Sequence, residues 1–151
     1  KIEIVVHPQS LIHSMIEFID GSIKAQISKP DMRHSIQYAF SYPERLSLDN
    51  MDFDFKIFSR MDFEPPDLEK FKCIKLAYDA IKLGGSYSTV LNVANDLAVS
   101  LFLKEKISFN LIPIVIEEAM NKHNYIENPT LDDISNLTLW VENFFDEYRI
   151  I

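Results

Sequence analysis

Glycine and cysteine are scarce in this chain. Of its 151 residues only Gly21, Gly84 and Gly85 are glycines, too few and too widely spaced for the phosphate-cradling motif G-x-G-x-x-G or for a P-loop. The sequence therefore excludes a dinucleotide-binding or P-loop turn within these residues. The motifs C-x-x-C and H-E-x-x-H are missing as well. The single Cys73 cannot form an internal disulfide, which is typical of a reducing compartment.

Basic residues are too few for a nucleic-acid or membrane surface. The chain has 15 Lys and Arg against 23 Asp and Glu, so its formal net charge is −8. It offers no basic patch to collect phosphates. No run of 18 apolar residues and no signal-peptide pattern occurs. We therefore expect a cytoplasmic or organelle-matrix protein that binds neither nucleic acid nor membrane.

The first residues suggest a polypeptide that continues upstream. The chain starts at Lys1 without a methionine and enters the run Ile2-Glu3-Ile4-Val5-Val6 at once. This β-branched run predicts an edge strand over residues 2–6. A length of 151 residues is enough for one full core, or for two smaller pieces that rest on something else.

Residues 6–28 carry the strongest local signal. Two apolar-alternating runs flank Asp20-Gly21, a pair that favours a β-hairpin with a type I′ turn, since that turn needs positive φ at both central residues. We therefore expect His13 to lie beside the segment that leads into Pro30 and Met32. The turn predicts an antiparallel register with the pairs Phe18/Ile23, Glu17/Lys24, Ile16/Ala25 and His13/Ser28.

A helix and a linker are predicted next. Asp31 is a plausible N-cap for a helix over residues 32–41, and Pro43 ends it because the residue before proline avoids the helical region. The apolar residues of segment 46–66 follow neither the helical nor the strand periodicity, which predicts a linker with short extended pieces. The acidic residues at its end, Asp62 among them, are typical of a solvated run. The apolar face of the helix is predicted to contain Ile36, Ala39 and Phe40.

Residues 67–151 predict four helices with short loops, which is typical of a small bundle. The first helix is predicted to begin at Asp67 and to end at Gly84-Gly85, and the second to begin at Ser86 or Ser88. The third is predicted to run from about Asn110 to Lys122, with Pro113 in its first turn, and the fourth to begin at Thr130. Their predicted buried stripes are Leu68, Phe71, Ile74, Ala77, Tyr78 and Ile81; Leu91, Ala94, Leu97 or Ala98, and Leu101-Phe102; and Leu137, Val141, Phe144 and Tyr148. Asp132 and Asp133 suit the positive end of the last helix.

The predicted fold class is therefore α+β. Residues 1–45 form a partial antiparallel sheet with one helix, residues 46–66 form a linker, and residues 67–151 form a C-terminal four-helix bundle. We expect the bundle to have a core of its own, whereas residues 1–45 show no obvious core.

His13 is the residue with the clearest chemical potential. It alternates with Leu11 and Met15, so it is either a half-buried structural histidine or a polar group that faces a ligand, and periodicity alone favours the structural interpretation. A metal shared with His7 is disfavoured, because six residues of extended chain span roughly 20 Å. Ser10 has no acidic residue near it in sequence to complete a nucleophilic triad.

Several motifs together resemble the later part of the 1-deoxy-D-xylulose 5-phosphate reductoisomerase family. No single motif is specific, but their order over residues 1 to about 110 is. They are His7-Pro8-Gln9-Ser10-x-Ile12-His13-Ser14-Met15, Asp20-Gly21-Ser22, Ala25-Gln26, Pro30-Asp31-Met32-Arg33, Tyr42-Pro43-x-Arg45, Phe63-x-x-Pro66-Asp67, Cys73-Ile74-x-Leu76-Ala77, Gly84-Gly85, Val90-Leu91-Asn92-x-Ala94-Asn95 and Ala98-Val99.

The resemblance implies an NADPH- and Mg²⁺- or Mn²⁺-dependent enzyme of non-mevalonate isoprenoid biosynthesis. Its product is 2-C-methyl-D-erythritol 4-phosphate, and its subunits form a homodimer through the catalytic-domain sheet, for which residues 2–6 would offer a joining edge. The family's NADPH domain and acidic metal ligands have no counterpart here. We therefore expect the isolated chain to bind neither cofactor and to be inactive. The alternative is a non-catalytic dimerisation or folding module.

The resemblance also implies roles for four residues. His13 matches the family's active-site histidine on the substrate side, and Ser10 matches a serine that lines the substrate pocket. Pro30 and Met32 match residues near the nicotinamide, and Met32 also faces the substrate. No metal ligand is expected in this chain. Departures from the family pattern are His34-Ser35, Val93 and Asp96, none of which belongs to these four.

Overall fold

The computed structural model describes residues 2–49, 53–54, 56 and 59–148. The chain divides into two compact units, residues 1–66 and residues 67–151. The described part of the first contains two strands and one helix, and that of the second contains four α-helices. These elements confirm the predicted α+β class. Among the described residues, no helix is both long and apolar enough to cross a membrane.

The hairpin consists of β1 (Ile12–Glu17) and β2 (Ile23–Ile27), but its predicted register is wrong by one residue. Phe18 and Ser22 close a three-residue loop, with Phe18 N to Ser22 O at 2.9 Å and Gly21 N to Phe18 O at 2.9 Å. Within the loop only Gly21 has positive φ, at 80°, so the turn is not type I′. The observed pairs are Glu17/Ile23, Ile16/Lys24, Met15/Ala25, Ser14/Gln26 and Ile12/Ile27.

His13 is the extra residue of a β-bulge. Between the pairs Ser14/Gln26 and Ile12/Ile27, β1 advances by two residues while β2 advances by one. Beyond the bulge, Ser28 donates its backbone N–H to the carbonyl of Leu11 at 3.0 Å. The predicted His13/Ser28 pair is therefore wrong. A bulge bends its strand and turns the side chain of the extra residue away from the regular alternation.

The strand predicted over residues 2–6 is not formed in the described chain. Within this segment, Val6 forms an isolated antiparallel bridge with Glu64. The two backbone hydrogen bonds of this bridge measure 2.8 and 2.9 Å. The end of the predicted linker therefore lies against the beginning of the chain.

The first helix, α1, spans Arg33–Ser41 and begins one residue later than predicted. The Asp31 carboxylate accepts the backbone N–H of Arg33 at 2.9 Å, and the helix ends just before Tyr42-Pro43, as the proline rule predicts. No residue of α1 is buried. Ile36 and Phe40 are 52% and 89% exposed, so this chain by itself does not cover the predicted apolar face.

The described part of the second unit contains α2 (Lys72–Leu83), α3 (Tyr87–Leu103), α4 (Ile112–Lys122) and α5 (Leu131–Tyr148), with a 3-10 turn at Phe109–Leu111 before α4. The helices enclose one hydrophobic core that also includes partly buried side chains such as Cys73 and Trp140. Its buried members are Leu76, Ala80, Val90, Ala94, Ala98, Leu101, Ile112, Val115, Ile116, Ala119, Met120, Leu137, Val141, Phe144 and Phe145. The four-helix bundle with its own core is thus confirmed.

Helix α2 corrects two predictions. The Asp67 carboxylate accepts the N–H groups of Glu69 and Lys70 at 3.1 and 2.9 Å, so it caps a turn that precedes the helix. The buried residues of α2 are Leu76 and Ala80, whereas most of the predicted stripe lies outside the core. The exposed members are Leu68, Phe71, Tyr78 and Ile81.

A buried hydroxyl joins the start of α3 to the end of α4. Ser86 and His123 are buried, with Ser86 Oγ 3.0 Å from His123 Nε2. His123 Nδ1 lies 2.7 Å from the carbonyl of Met120, so Nδ1 carries the proton and Nε2 accepts from Ser86. Ser86 Oγ also accepts the N–H of Ile126 at 2.9 Å. Ser86 therefore serves a tertiary contact instead of capping its own helix.

Thr130 caps α5 as predicted, through a reciprocal pair with Asp133. Thr130 Oγ1 accepts the N–H of Asp133 at 3.2 Å, while the Asp133 carboxylate accepts the N–H and hydroxyl of Thr130 at 2.9 and 2.6 Å. The hydrogen bond from the Thr130 hydroxyl, and to a smaller extent that from the Thr130 N–H, hold the pKa of Asp133 below its usual value. Leu137, Val141 and Phe144 lie in the core as predicted. The side chain of Tyr148 lies outside the described part of the chain.

We expect Thr130→Ala to lower the free energy of unfolding at neutral pH by about 0.5–2 kcal/mol, the usual contribution of an N-cap. A carboxyl whose pKa is lower in the folded state stabilises the fold above its unfolded pKa, and this contribution is lost as pH falls through the folded pKa. The difference between wild type and variant should therefore shrink in acid. Urea unfolding at neutral and acidic pH measures both values.

Ser135→Ala is the matched control, because Ser135 Oγ donates to the Leu131 carbonyl on the exposed side of the same helix. It should change stability by less than about 0.5 kcal/mol. A loss in Thr130→Ala that is the same at both pH values would contradict the role given to Asp133.

Candidate functional site

The first unit brings two segments together at the end of the hairpin. The hydrogen bond from Ser28 to Leu11 aligns residues 10–13 with residues 28–30. His13 Nε2 lies 3.3 Å from the carbonyl oxygen of Lys29, the residue before Pro30. The predicted approach of His13 to this segment is therefore confirmed, although a bulge and not the predicted register produces it.

The exposed imidazole of His13 keeps one nitrogen for another partner. When Nε2 donates to the Lys29 carbonyl, the neutral ring has Nδ1 as a hydrogen-bond acceptor. His13 is exposed to solvent in this chain. This placement contradicts the half-buried structural interpretation and leaves the side chain open to a ligand.

The corner from Pro30 to Arg33 contains an exposed ion pair. Arg33 places Nε 3.0 Å from both oxygens of Asp31 and Nη2 2.7 Å from Oδ2. The Arg33 guanidinium lowers the pKa of Asp31 to about 2, so the pair persists through the neutral range. Met32, between them, is 67% exposed. The corner thus presents a thioether side chain outward.

Ser10 has an unusual backbone conformation. Its φ is 53°, in the left-handed region that residues other than glycine rarely adopt. Its N–H donates to the carbonyl of His7 at 3.0 Å, which closes a tight turn. The neighbouring Leu11 is fully buried. Residues of this kind persist where the surrounding structure holds them, and they cluster at functional sites.

Sequence reasoning missed the contacts of Asp62, which it interpreted as part of a solvated run. The Asp62 carbonyl oxygen lies 2.8 Å from His7 Nδ1. The Asp62 carboxylate accepts a hydrogen bond from the Gln9 side-chain amide, and the Asp62 backbone N–H donates one to the oxygen of the same amide. No local pattern indicates these contacts, because the partners are more than 50 positions apart. An open concavity of about 800 Å³ runs beside β1, and its lining includes His7, His13, Met15 and Phe63.

The described residues do not provide a metal site of their own. No group of three or more His, Cys, Asp or Glu side chains among them could hold an ion. Pro30 and Met32 offer apolar surface only, which suits contact with a flat ring and supplies no charge. A divalent ion therefore needs ligands that the described residues of this chain do not group together.

Comparison with known proteins places these residues in a family. A family model described as the DXP reductoisomerase C-terminal domain matches residues 27–144. The 1-deoxy-D-xylulose 5-phosphate reductoisomerase of Thermoanaerobacter pseudethanolicus is 55% identical over 138 residues, covering 91% of this chain and 36% of that protein. The enzyme of Chloroherpeton thalassium is 53% identical, covering 91% and 35%. The chain thus spans little more than a third of these relatives.

Solved structures agree. The reductoisomerase of Zymomonas mobilis in complex with NADPH matches with a TM-score of 0.84 and 39% identity, covering 97% of this chain and 39% of that one. A DOX-P reductoisomerase in complex with NADPH, fosmidomycin and magnesium matches with a TM-score of 0.84 and 34% identity, covering 96% and 38%. Because the family model matches most of its length, the chain belongs to the 1-deoxy-D-xylulose 5-phosphate reductoisomerase family.

Proposed function

We propose that this chain is the C-terminal portion of an enzyme that converts 1-deoxy-D-xylulose 5-phosphate to 2-C-methyl-D-erythritol 4-phosphate. The reaction uses NADPH and a divalent metal ion and belongs to non-mevalonate isoprenoid biosynthesis. The observation that carries the proposal is 55% identity to a reductoisomerase over 91% of the chain. The NADPH, fosmidomycin and magnesium in a solved relative agree with it.

In this function His13 is the catalytic residue of the chain and binds the substrate. The Lys29 carbonyl orients its ring through Nε2, so Nδ1 can accept a hydrogen bond from a substrate hydroxyl. The fixed ring orientation keeps the substrate in a reactive geometry, which is a large part of what positioning residues contribute to a rate. Ser10, three residues earlier, adds a hydroxyl that binds the substrate.

Pro30 and Met32 form the apolar wall of the proposed site. Bound NADPH supplies the hydride in this reaction. Met32 lies between the paired residues Asp31 and Arg33 and is 67% exposed, so the thioether can pack on the nicotinamide and on the substrate and exclude water there. Pro30 adds a rigid contact to the nicotinamide side. The metal ligands belong to the part of the enzyme that this chain does not span.

We also propose the domain boundaries, the oligomeric state and the cellular compartment of the enzyme. Residues 1–45 are the end of the catalytic domain, residues 46–66 are a linker, and residues 67–151 are the C-terminal helical domain. The enzyme is a cytoplasmic or organelle-matrix homodimer whose subunits join through the catalytic-domain sheet. Neither NADPH nor a metal ion binds to the isolated chain.

The decisive experiment compares the full-length protein with the 151-residue chain. Each is assayed for NADPH oxidation with Mg²⁺ or Mn²⁺ and 1-deoxy-D-xylulose 5-phosphate. We expect turnover by the full-length protein and none above the blank by the chain alone, because the metal and dinucleotide elements are missing from it. Turnover by the isolated chain contradicts its role as an incomplete portion. A full-length protein without turnover favours the non-catalytic dimerisation or folding module.

A further inference from the structure

A strap formed by residues 60–64 lies across the start of the first unit. Its last residue, Glu64, forms two backbone hydrogen bonds with Val6, at 2.8 and 2.9 Å. Immediately after Val6 comes the tight turn of residues 7–10, which ends in Ser10. The strap is therefore joined to the chain directly before the turn that carries a proposed substrate-binding residue.

Two side chains of the turn are also fastened to the strap, both through Asp62. The Gln9 amide makes a two-way pair, because its Nε2 donates to Asp62 Oδ2 at 2.5 Å and its Oε1 accepts the N–H of Asp62 at 3.1 Å. His7 Nδ1 lies 2.8 Å from the Asp62 carbonyl. The His7 ring stacks on Phe63 with centroids 5.0 Å apart and planes inclined by 21°.

These contacts lie on the N-terminal side of a conformation that needs support. Ser10 has φ of 53° and directly follows Gln9, and its N–H bonds to the carbonyl of His7. A residue with a Cβ leaves the left-handed region readily unless its surroundings hold it there. The neighbours on its N-terminal side are held by the strap, and Leu11 on its C-terminal side is fully buried.

We infer that the strap is a positioning element for the substrate side of the site. Gln9 and Asp62 are positioning residues that hold Ser10 in its left-handed conformation and thereby set the start of β1 and the bulge at His13. This inference rests on the proposed function, since it assumes that Ser10 and His13 bind the substrate. It assigns a role to a segment that carries no site residue of its own.

Arg60 allows the Gln9–Asp62 pair to be isolated. Its Nε donates to Asp62 Oδ1 at 2.8 Å, while Gln9 uses Oδ2. The Arg60 side chain is 82% exposed. Removing the guanidinium therefore takes one partner from Asp62 and leaves the amide pair with Gln9 in place.

The test uses the full-length protein with Gln9→Ala, Asp62→Ala and Asp62→Asn, and with Arg60→Ala as the matched control. We expect both alanine variants of the pair to raise the substrate KM by about 10-fold, since small displacements of positioning groups cost this much or more. The KM for NADPH should not change, because Pro30 and Met32 belong to another segment. A general loss of folded protein would not separate the two constants in this way.

Two further outcomes are expected. Asp62→Asn keeps an acceptor oxygen for the Gln9 amide and should restore the substrate KM to within about 3-fold of wild type. The double variant of Gln9 and Asp62 should be no worse than either alanine variant alone, because the two residues act as a pair. Amide hydrogen exchange at Ser10 should become faster in Gln9→Ala and stay unchanged in Arg60→Ala.

The inference is overturned if the substrate KM stays unchanged in Gln9→Ala and Asp62→Ala while the parent protein is active. It is also overturned if Arg60→Ala has the same effect as Asp62→Ala, or if both KM values rise together with a lower melting temperature. A parent protein without activity contradicts the proposed function itself, so the two failures are distinguishable.

Discussion

Replacing His13 by glutamine in the full-length protein is expected to lower kcat/KM by about 10- to 1000-fold, equivalent to about 1.4–4 kcal/mol of transition-state stabilisation. Glutamine keeps a polar side chain but loses the imidazole acceptor and the ring that the Lys29 carbonyl orients. The site therefore loses both a hydrogen bond to the substrate and a fixed geometry. Steady-state kinetics with 1-deoxy-D-xylulose 5-phosphate measures the change.

Lys24→Gln is the control for this substitution. Lys24 is exposed and stands opposite Ile16 on the neighbouring strand, away from the bulge. It should leave kcat/KM unchanged. The His13 variant should also unfold at nearly the wild-type temperature, because the side chain is exposed and buries little surface. Unchanged kinetics together with unchanged stability would show that His13 is only a strand residue.

The second large effect is expected at Gly85, in the loop between α2 and α3. Gly85 has φ of 54°, and a Cβ at this position would collide with the Ile126 carbonyl oxygen and approach the Tyr125 ring to 2.7 Å. The close approach is held from both sides, because Ser86 N donates to Ile126 O at 2.9 Å and Ile126 N donates to Ser86 Oγ at 2.9 Å. Gly85→Ala should therefore lower the free energy of unfolding by about 2–5 kcal/mol, through left-handed strain and overpacking together.

Gly84→Ala provides a comparison without the packing contacts, at a glycine whose φ of 70° and ψ of −161° lie in a region essentially restricted to glycine. Gly84 also has positive φ, at 70°, but a Cβ there would have nothing within 4 Å. Gly84→Ala should lower the free energy of unfolding through backbone strain alone, by about 1–3 kcal/mol. Urea unfolding of the chain compares the two variants. If Gly85→Ala is no more destabilising than Gly84→Ala, the packing of the loop against residues 125–127 is not what requires glycine.

The hairpin shows where sequence reasoning stops. Asp20-Gly21 predicted both strands and the place of the turn, and the structure confirms these. The register depended on whether the loop has two or three residues, and the Asp20 carboxylate decides this by accepting both the N–H and the hydroxyl of Ser22. One extra loop residue shifts every cross-strand pair by one position. The bulge at His13 then shifts the pairing again.

The helical unit shows the same division. Local chemistry predicted the cap at Thr130, the stop at Gly84 and the tolerance of Pro113 in α4, because these effects act within one turn of the chain. The prediction of which face of α2 is buried was wrong. Its apolar residues lie on more than one face, and only the packing of α3 and α4 selects Leu76 and Ala80 for the core.

The candidate site divides in a similar way. The motifs around His7–Met15 and Pro30–Arg33 helped to predict the family, because the order of short motifs is specific even when each alone is weak, whereas the roles of the four site residues remain predictions. The sequence could not indicate the strap, since Asp62 is separated from Gln9 by more than 50 residues and no periodic pattern connects them. The left-handed φ of Ser10 was not predictable either, because nothing local requires it.

By itself, then, the sequence determined the α+β class, the order of the elements, the cap at Thr130 and the family, all of which depend on short-range patterns. Only the tertiary structure decided the hairpin register, the bulge that presents His13, the core-facing side of α2 and the attachment of residues 60–64 to the turn at residues 7–10. The physical reason is that each of these features depends on contacts between distant segments, where loop length and packing select among arrangements that local preferences leave nearly equal in free energy.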